Sequence, residues 1–290
     1  MSAPDAYELR DAMASAIKAI RYQQPPRLNI RGKLVTLPTS GEVIVVGDIH
    51  GDLESLEHIL GETRFEDRLM EGEDLYLLCL GDYIDRGPKQ TQVLHRLLRL
   101  LGSYPGRVIL LRGNHEGPKN VPFHPHDFPM VLLAAYGSEG RDIYWDFRAL
   151  CDELYTAAVV PGKTLFLHGG VPTEEPELSD LAYAHMEHPA KDILVQILWN
   201  DPVEEDGVYP SPRGVGRLFG PDLAERALGA LEVSTLVRSH QSCEGFSWVG
   251  RTLTIFSCKL PNYGNRRAAY LRMPLDGEPS PGDTGFIRLF

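Results

Sequence analysis

The sequence lacks a long apolar run and a strongly basic stretch. Its longest apolar stretches, Met130 to Tyr136 and Leu75 to Leu80, fall far short of the ~18 residues that a membrane-spanning helix needs. The chain carries 29 Lys and Arg against 40 Asp and Glu, a net charge of −11. Lys and Arg on phosphates supply most of the affinity for double-stranded nucleic acid, so the acidic balance predicts no nucleic-acid partner. The short apolar stretches predict no membrane partner.

Cysteine is scarce and shows no metal-binding or disulfide spacing. The four cysteines are Cys79, Cys151, Cys243 and Cys258. The first ten residues also lack the basic-then-apolar pattern of a secretory signal. Both features predict a reducing, cytoplasmic location, and Cys79, inside an apolar run, is expected to be a core thiol.

The composition, 43% hydrophobic and 24% charged over 290 residues, is that of a globular protein. No internal repeat or low-complexity linker divides it, so we predict one domain over 1–290. Within it we expect a helical N-terminal segment and lead-in over 1–40, a core over 41–272, and a C-terminal loop with a short strand over 273–290.

Hydrophobic periodicity predicts an α/β fold. Three apolar runs, Val43–Val46, Leu75–Leu80 and Val108–Leu111, alternate with helical stripes, which predicts parallel βαβ units. A first amphipathic helix is predicted over 4–21, on the outside of the body. Later strands are predicted at 164–167, 235–238, 252–256 and 268–272, and long surface loops at 172–189 and 200–220.

Metal-ligand side chains follow four of these strands. They are Asp48, His50, Asp82, Asn114, His115 and His168. Because ligands bind beyond the carboxyl ends of strands in open α/β sheets, we expect these groups to converge. Imidazole, carboxylate and amide ligands without thiolate suit Mn, Fe(II), Zn or Mg.

The remaining histidines fall on predicted helix faces or loops, where solvated or capping roles are expected. This set comprises His58, His95, His124, His126, His185 and His188, with His240 treated separately below. Met130, Trp145 and Trp248 are expected to be packing residues.

Four motifs in order carry a family resemblance: Gly47-Asp48-Ile49-His50-Gly51, Gly81-Asp82-Tyr83-Ile84-Asp85-Arg86-Gly87, Arg112-Gly113-Asn114-His115-Glu116 and His168-Gly169-Gly170. Together they resemble the metal-dependent phosphoprotein phosphatases, the type-1 and type-2A-like serine/threonine phosphatases, over about 41 to 270. The departures after Glu116 look more like the prokaryotic branches. The resemblance implies a calcineurin-like metallophosphoesterase fold: two mixed β-sheets packed as a sandwich and flanked by helices, α/β/β/α.

The same resemblance implies a two-metal site. Asp48 and His50 would bind the first ion, Asp82 would bridge, and Asn114, His168 and His240 would complete the second. The two divalent ions would be manganese, as is common in isolated members, or Fe/Zn or Mg. A metal-bound hydroxide would attack phosphorus in line.

Further residues acquire roles by the same resemblance. Arg86, Arg213, Asn114 and Tyr263 would contact the substrate phosphate, although Arg213 could also be a surface cation. His115 would act as general acid, with Asp85 holding its imidazole and favouring the protonated form, and Arg112 would be a structural ion-pair partner. The loop 257–264 around Tyr263 is two residues longer than in eukaryotic relatives and has glycine as its last residue.

The expected activity is dephosphorylation of serine and threonine in proteins or peptides, with tyrosine or dual specificity as an alternative. A second alternative is hydrolysis of diadenosine polyphosphates, which His50 and Glu116 disfavour because those enzymes usually carry Gln and Asp there. A non-catalytic scaffold is a third, disfavoured because all six ligand positions are filled. The motifs identify no regulatory subunit.

Overall fold

A computed structural model of the chain describes residues 2–22 and 25–290. Met1, Gln23 and Gln24, in the predicted segment 1–40, lie outside the described residues. The helices are α1 Ala6–Tyr22, α2 Leu53–Glu62, α3 Phe65–Met70, α4 Gln90–Ser103, α5 Phe128–Tyr136, α6 Gly140–Glu153, α7 Leu178–Glu187, α8 Ile193–Trp199 and α9 Pro221–Ala230. The strands are β1 Asn29–Arg31, β2 Leu34–Thr36, β3 Glu42–Val46, β4 Leu75–Cys79, β5 Val108–Leu110, β6 Ala157–Val160, β7 Thr164–Phe166, β8 Asp201–Pro202, β9 Val208–Pro210, β10 Arg217–Phe219, β11 Thr235–Arg238, β12 Phe246–Val249, β13 Thr252–Ile255, β14 Ala269–Pro274 and β15 Ile287–Leu289.

Two large mixed sheets form the centre of the molecule. One has the order β15-β14-β3-β4-β5, and the other has the order β1-β2-β6-β7-β11-β13-β12. Strands β3, β4 and β5 are parallel, as the alternation of apolar runs with helical stripes predicts. In the second sheet β11 is parallel to both β7 and β13.

The two sheets pack face to face with helices outside. Alternate residues of β3 point to opposite faces: Val43 and Val45 lie in the core between the sheets, whereas Ile44 and Val46 lie under the helices. Helices α1, α2, α4, α5 and α6 cover the five-stranded sheet, and α7, α8 and α9 cover the other. The predicted α/β/β/α arrangement is therefore confirmed.

The predicted N-terminal helix is present as α1. Leu9 and Met13 are fully buried on it, and Ile17 and Ile20 pack at the edge of the same core. This face contacts α4 and α6, so the helix lies on the outer layer. Cys79 is fully buried on β4, as expected.

The predicted surface loops at 172–189 and 200–220 are wrong in part. The first contains α7, whose Leu181 and Ala182 are buried and whose first turn is closed by a capping box between Glu177 and Asp180. The second contains a three-stranded sheet with the order β8-β10-β9. All three residues of its strand β9 are exposed, so the strand has no alternation of buried and exposed residues by which the sequence could show it.

The edges of the two large sheets meet at one end. The backbone of Asp48, just after β3, forms a parallel bridge with Phe256, just after β13. Ser239, which follows β11, accepts the amide N–H of Asp48 at 2.7 Å, and Ser257 accepts that of Gly47 at 2.8 Å. The loops after β3, β11 and β13 therefore meet at this end of the molecule.

Candidate metal and phosphate site

The backbone is strained where these loops meet. Among the described residues, seven non-glycine residues have positive φ. Five of them lie in the candidate site: His50, Asp82, Asp85, Arg86 and His240. Such conformations cost on the order of 1–3 kcal/mol each and collect at functional sites, so packing must hold these residues in place.

Asp82 joins two groups of potential metal ligands. In the described part of the chain, one group comprises His50, Asp82 and His115, and the other comprises Asp82, His168 and His240. Within each group the ligand atoms lie within 4.8 Å of one another, and every residue is buried. Asp82 belongs to both groups, as the family resemblance implies for the ligand that would be shared by the two ions. The first group contains His115, whereas the resemblance implies Asp48 there.

Asp48 lies beside both groups. One of its carboxylate oxygens is 3.8 Å from His50 Nε2, and the other accepts the backbone N–H of His240 at 3.0 Å. The structure therefore brings the five predicted carboxylate and imidazole ligands into one cluster.

The side-chain amide of Asn114 points into this cluster. One terminal atom lies 3.0 Å from both His168 Nε2 and His240 Nδ1, and 3.0 and 3.2 Å from the two Asp82 oxygens. If this atom is the amide oxygen, it faces other acceptors, namely the two ring nitrogens and the two carboxylate oxygens, and a bound cation would satisfy them all. If the amide is turned over, its NH₂ group would instead donate hydrogen bonds to the same atoms. Only the oxygen orientation would allow Asn114 to act as the metal ligand that the family resemblance implies.

The two central histidines have their tautomers set by backbone carbonyls. His50 Nδ1 donates to the carbonyl of Ile84 at 2.7 Å, and His168 Nδ1 donates to that of Leu80 at 3.0 Å. Each Nε2 lone pair therefore faces the cluster, as a metal-binding imidazole requires. Burial lowers the pKa of both rings to about 3, so both stay neutral.

The pKa of Asp82 is shifted upward, whereas those of His50 and His168 are shifted downward. Burial, followed by the negative charge of Asp48, raises its pKa well above the ordinary value. Bound cations would relieve this crowding of carboxylates, so the donor set fits divalent metal ions in chemistry and in charge.

His115 pairs with Asp85 on one side and with Arg86 on the other. Its Nδ1 lies 2.6 Å from the Asp85 carboxylate, and its Nε2 lies 3.0 Å from a guanidinium nitrogen of Arg86. Burial, followed by the positive charge of Arg86, lowers the pKa of His115 well below the ordinary value. The expectation that Asp85 favours the protonated form of His115 stays a prediction, and these two effects act against it.

The predicted phosphate contacts reach the same place. Arg86 donates to the hydroxyl of Tyr263 at 2.6 Å, and the ring of Tyr263 stacks on His50 with centroids 5.8 Å apart. Arg213 donates to Asp201 at 2.7 Å and to the carbonyl of His240 at 3.3 Å. Arg213 is thus anchored beside the cluster rather than being a free surface cation.

Arg112 takes the structural place expected of it. It is buried, pairs with Asp152 at 3.0 Å and donates to the carbonyl of Glu116 at 2.7 Å. It makes none of its contacts with the ligand cluster.

The roles of three residues of the site were not predicted from the sequence. Glu116 accepts the amide N–H groups of Asp82, Tyr83 and Gly113, at 2.9, 3.0 and 3.1 Å, and so ties two motif loops together. Asp201 binds both Arg213 and the fully buried Arg238. Glu116 was visible as the last residue of its motif, whereas nothing in its sequence context distinguishes Asp201.

The third is His126, for which a solvated or capping role was expected. Its Nδ1 lies 3.1 Å from the Asp85 carboxylate. Trp145 on α6, also expected to pack, is a half-exposed residue. The packing expectation for Met130 on α5 is wrong, since this residue is 65% exposed. Helix α5 is apolar on every face. In such a helix, the spacing of apolar residues does not show which of them face the core and which face solvent.

The chain matches the model of the calcineurin-like phosphoesterase family over residues 41–244. A serine/threonine-protein phosphatase of Candida albicans, described as PP2A-like, is 34% identical over 227 residues, 76% of this chain and 52% of that protein. A phosphatase-like protein of Caenorhabditis elegans is 31% identical over 228 residues, 76% of this chain and 58% of its own length. The chain thus spans little more than half the length of these curated relatives.

The fold is also found in a solved structure. A protein serine/threonine phosphatase from Saccharomyces cerevisiae superposes with a TM-score of 0.77 at 23% identity, covering 99% of this chain and 90% of that one. No helix within residues 2–22 or 25–290 has the length and apolar character to cross a membrane. The family match, the curated relatives and the cluster at the strand ends together show that the chain belongs to the calcineurin-like phosphoesterase family.

Proposed function

We propose that this protein is a phosphoprotein phosphatase that uses two divalent metal ions to hydrolyse phosphoserine and phosphothreonine monoesters. The observation that carries the proposal is the convergence of six side chains in one buried cluster, with His115 and Arg86 beside it. The six are Asp48, His50, Asp82, Asn114, His168 and His240. The curated relative described as a PP2A-like serine/threonine phosphatase supports the substrate class.

The six ligands would hold the metal ions, with Asp82 shared. When bound, such ions polarise the phosphate oxygens and lower the pKa of a water molecule, which makes it a nucleophile. Manganese is the proposed ion for the isolated protein, with Fe/Zn or Mg as alternatives, because nitrogen and oxygen donors without thiolate suit these ions.

Arg86 and Arg213 would bind the substrate phosphate. A planar guanidinium donates two parallel hydrogen bonds to phosphate oxygens, and both side chains reach the edge of the cluster. Phosphate bound to Arg86 would offset the positive charge that now faces His115 Nε2. Tyr263, which accepts a hydrogen bond from Arg86, would orient it and complete the phosphate contacts.

His115 would protonate the departing alkoxide. Its Nδ1 is committed to Asp85 at 2.6 Å, so Nε2 is the nitrogen available to carry the transferred proton. General acid catalysis matters most for a poor leaving group such as a serine alkoxide and least for nitrophenolate.

The substrate class is tested by steady-state kinetics of the manganese-loaded protein on phosphoserine, phosphothreonine and phosphotyrosine peptides beside diadenosine tetraphosphate. We expect the phosphoserine and phosphothreonine peptides to be turned over fastest, and an Asp82→Asn variant to be inactive. A preference for phosphotyrosine or for the dinucleotide would overturn the proposed substrate while retaining the metal site. Absence of metal-dependent turnover on every substrate would instead favour the scaffold alternative.

The role of His115 is tested by its leaving-group dependence. His115→Asn should lower kcat on a phosphoserine peptide by roughly 100-fold or more and on nitrophenyl phosphate far less. Equal losses on the two substrates would refute the acid assignment.

A further inference from the structure

The carboxylate of Asp85 is held by more donors than its pair with His115 requires. One oxygen, Oδ2, lies 2.6 Å from His115 Nδ1. The other, Oδ1, accepts the backbone N–H groups of Asp127 and Phe128 at 2.9 and 2.8 Å. The imidazole of His126 spans both, with Nδ1 3.2 Å from Oδ1 and 3.1 Å from Oδ2.

His126 is fixed from its far side by Tyr144 on α6. Its Nε2 lies 3.0 Å from the Tyr144 hydroxyl. Burial raises the pKa of Tyr144, so the phenol keeps its proton and can donate to Nε2. Nδ1 then carries the ring proton and donates it to Asp85.

Phe123 completes a closed ring of contacts. Its ring packs between the two imidazoles, with centroids 4.4 Å from His115 and 4.7 Å from His126. His115 and His126 are thus joined twice, through the Asp85 carboxylate by hydrogen bonds and through Phe123 by packing. A shift of either imidazole therefore displaces the other.

The backbone around Asp85 cannot supply this orientation alone. Asp85 has φ of 66°, outside the ordinary range for a residue with a side chain, and residues 80–87 form no helix or strand. Besides His115, the donors that orient its carboxylate come from His126, Asp127 and Phe128. Tyr144 on α6 acts indirectly, by holding the imidazole of His126.

We propose that His126 is a positioning residue for the Asp85–His115 pair, with Tyr144 holding its ring. This inference rests on the acid role proposed for His115. It assigns a part in the reaction to a histidine whose hydrogen bonds go to Asp85 and Tyr144 and not to the proposed metal ligands or phosphate contacts.

The kinetic test compares His126→Ala with two related variants and a matched control. His126→Ala should lower kcat on a phosphoserine peptide about tenfold with little change in KM, and leave nitrophenyl phosphate nearly unaffected. His126→Asn, whose amide can donate from the place of Nδ1, should recover most of the loss. The control is His124→Ala, an exposed histidine of the same loop, which should behave like the wild type.

A spectroscopic test reports on the pair without turnover. The Nδ1 proton of His115, in a 2.6 Å hydrogen bond to a carboxylate, should give a low-field proton resonance in the zinc-loaded protein, identified by its loss in His115→Asn. We expect this resonance to shift in His126→Ala and to stay in place in His124→Ala. Should His126→Ala fail to fold, Tyr144→Phe, which leaves both imidazoles present, should shift the resonance in its place.

The outcomes separate the two proposals. If His115→Asn affects both substrates equally, the acid role fails and the inference fails with it. A second set of outcomes refutes only the role of His126. In it, His115→Asn lowers kcat mainly on the phosphoserine peptide, whereas His126→Ala lowers kcat equally on both substrates or leaves the resonance in place.

Discussion

Individual charges at this site are held by partners distant in the sequence. Asp201 is the clearest case, because it binds Arg213 at 2.7 Å and the fully buried Arg238 at 2.8 Å. Arg238 also donates to the carbonyls of Gly169 and Asn200. One carboxylate thus fixes a proposed phosphate contact and neutralises a cation in the interior.

We predict that Asp201→Asn destabilises the protein by about 3 kcal/mol, because a buried guanidinium loses its counter-charge. It should also raise KM for a phosphopeptide, since Arg213 loses its anchor. Urea unfolding and steady-state kinetics measure the two effects. As a control, Glu71→Gln removes an ion-pair partner of the exposed Arg64 and should change neither. An unchanged unfolding midpoint for Asp201→Asn would contradict the account of Arg238.

At the scale of elements, the loops after the strands approach each other so closely that side chains are excluded. A Cβ on Gly113 would lie 2.2 Å from an Asp82 oxygen and 2.3 Å from the Asp82 amide nitrogen. The loop after β5 can therefore lie against the loop after β4 only because residue 113 is glycine. By contrast, Gly61 in α2 has open space where a Cβ would stand.

Alanine in place of glycine should abolish metal binding at position 113 but not at position 61. Gly113→Ala should displace Asp82 and abolish tight metal binding, measured as metal retained by the purified protein. Gly61→Ala should leave the metal content unchanged and stabilise the protein by about 0.5–1 kcal/mol, because alanine is the better helix former. Full metal retention in Gly113→Ala would show that the loops tolerate a larger separation.

At the scale of the whole molecule, we expect metal binding and folding stability to be coupled through the place where the two sheets meet. Asp48 follows a strand of one sheet and His240 a strand of the other, and the Asp48 carboxylate accepts the His240 amide N–H at 3.0 Å. Cations bound by both sides would join the sheets. Without them, Asp48 and Asp82 repel each other in a buried space, and this repulsion contributes to the raised pKa of Asp82.

Chelation of the metal should therefore lower the thermal unfolding midpoint by several degrees. Binding at a hundredfold excess over Kd contributes about 2.7 kcal/mol to the free energy of unfolding. In Asp82→Asn, which lacks the shared ligand and one of the two charges, the midpoint should be nearly the same with and without chelator. Scanning calorimetry measures both, and an equal shift in the two proteins would place the stabilising metal elsewhere.

The order of strands and helices around residues 43–111 and the ligand types at the strand ends could be predicted from the sequence. Both depend on local chemistry: β-branched runs form strands, apolar stripes form helices, and a Gly-Asp or Asn-His pair directly after a strand lies at its carboxyl end. The motifs also indicated the family, to which the chain belongs.

Packing between distant segments decided the rest. Asp201 meets Arg238 across 37 positions, His126 meets Asp85 across 41, and Tyr263 meets Arg86 across 177. A carboxylate, imidazole or phenol in a loop looks the same in sequence whether it faces water or a buried partner. Its role follows only when the two sheets close against each other and exclude the water that would otherwise solvate it.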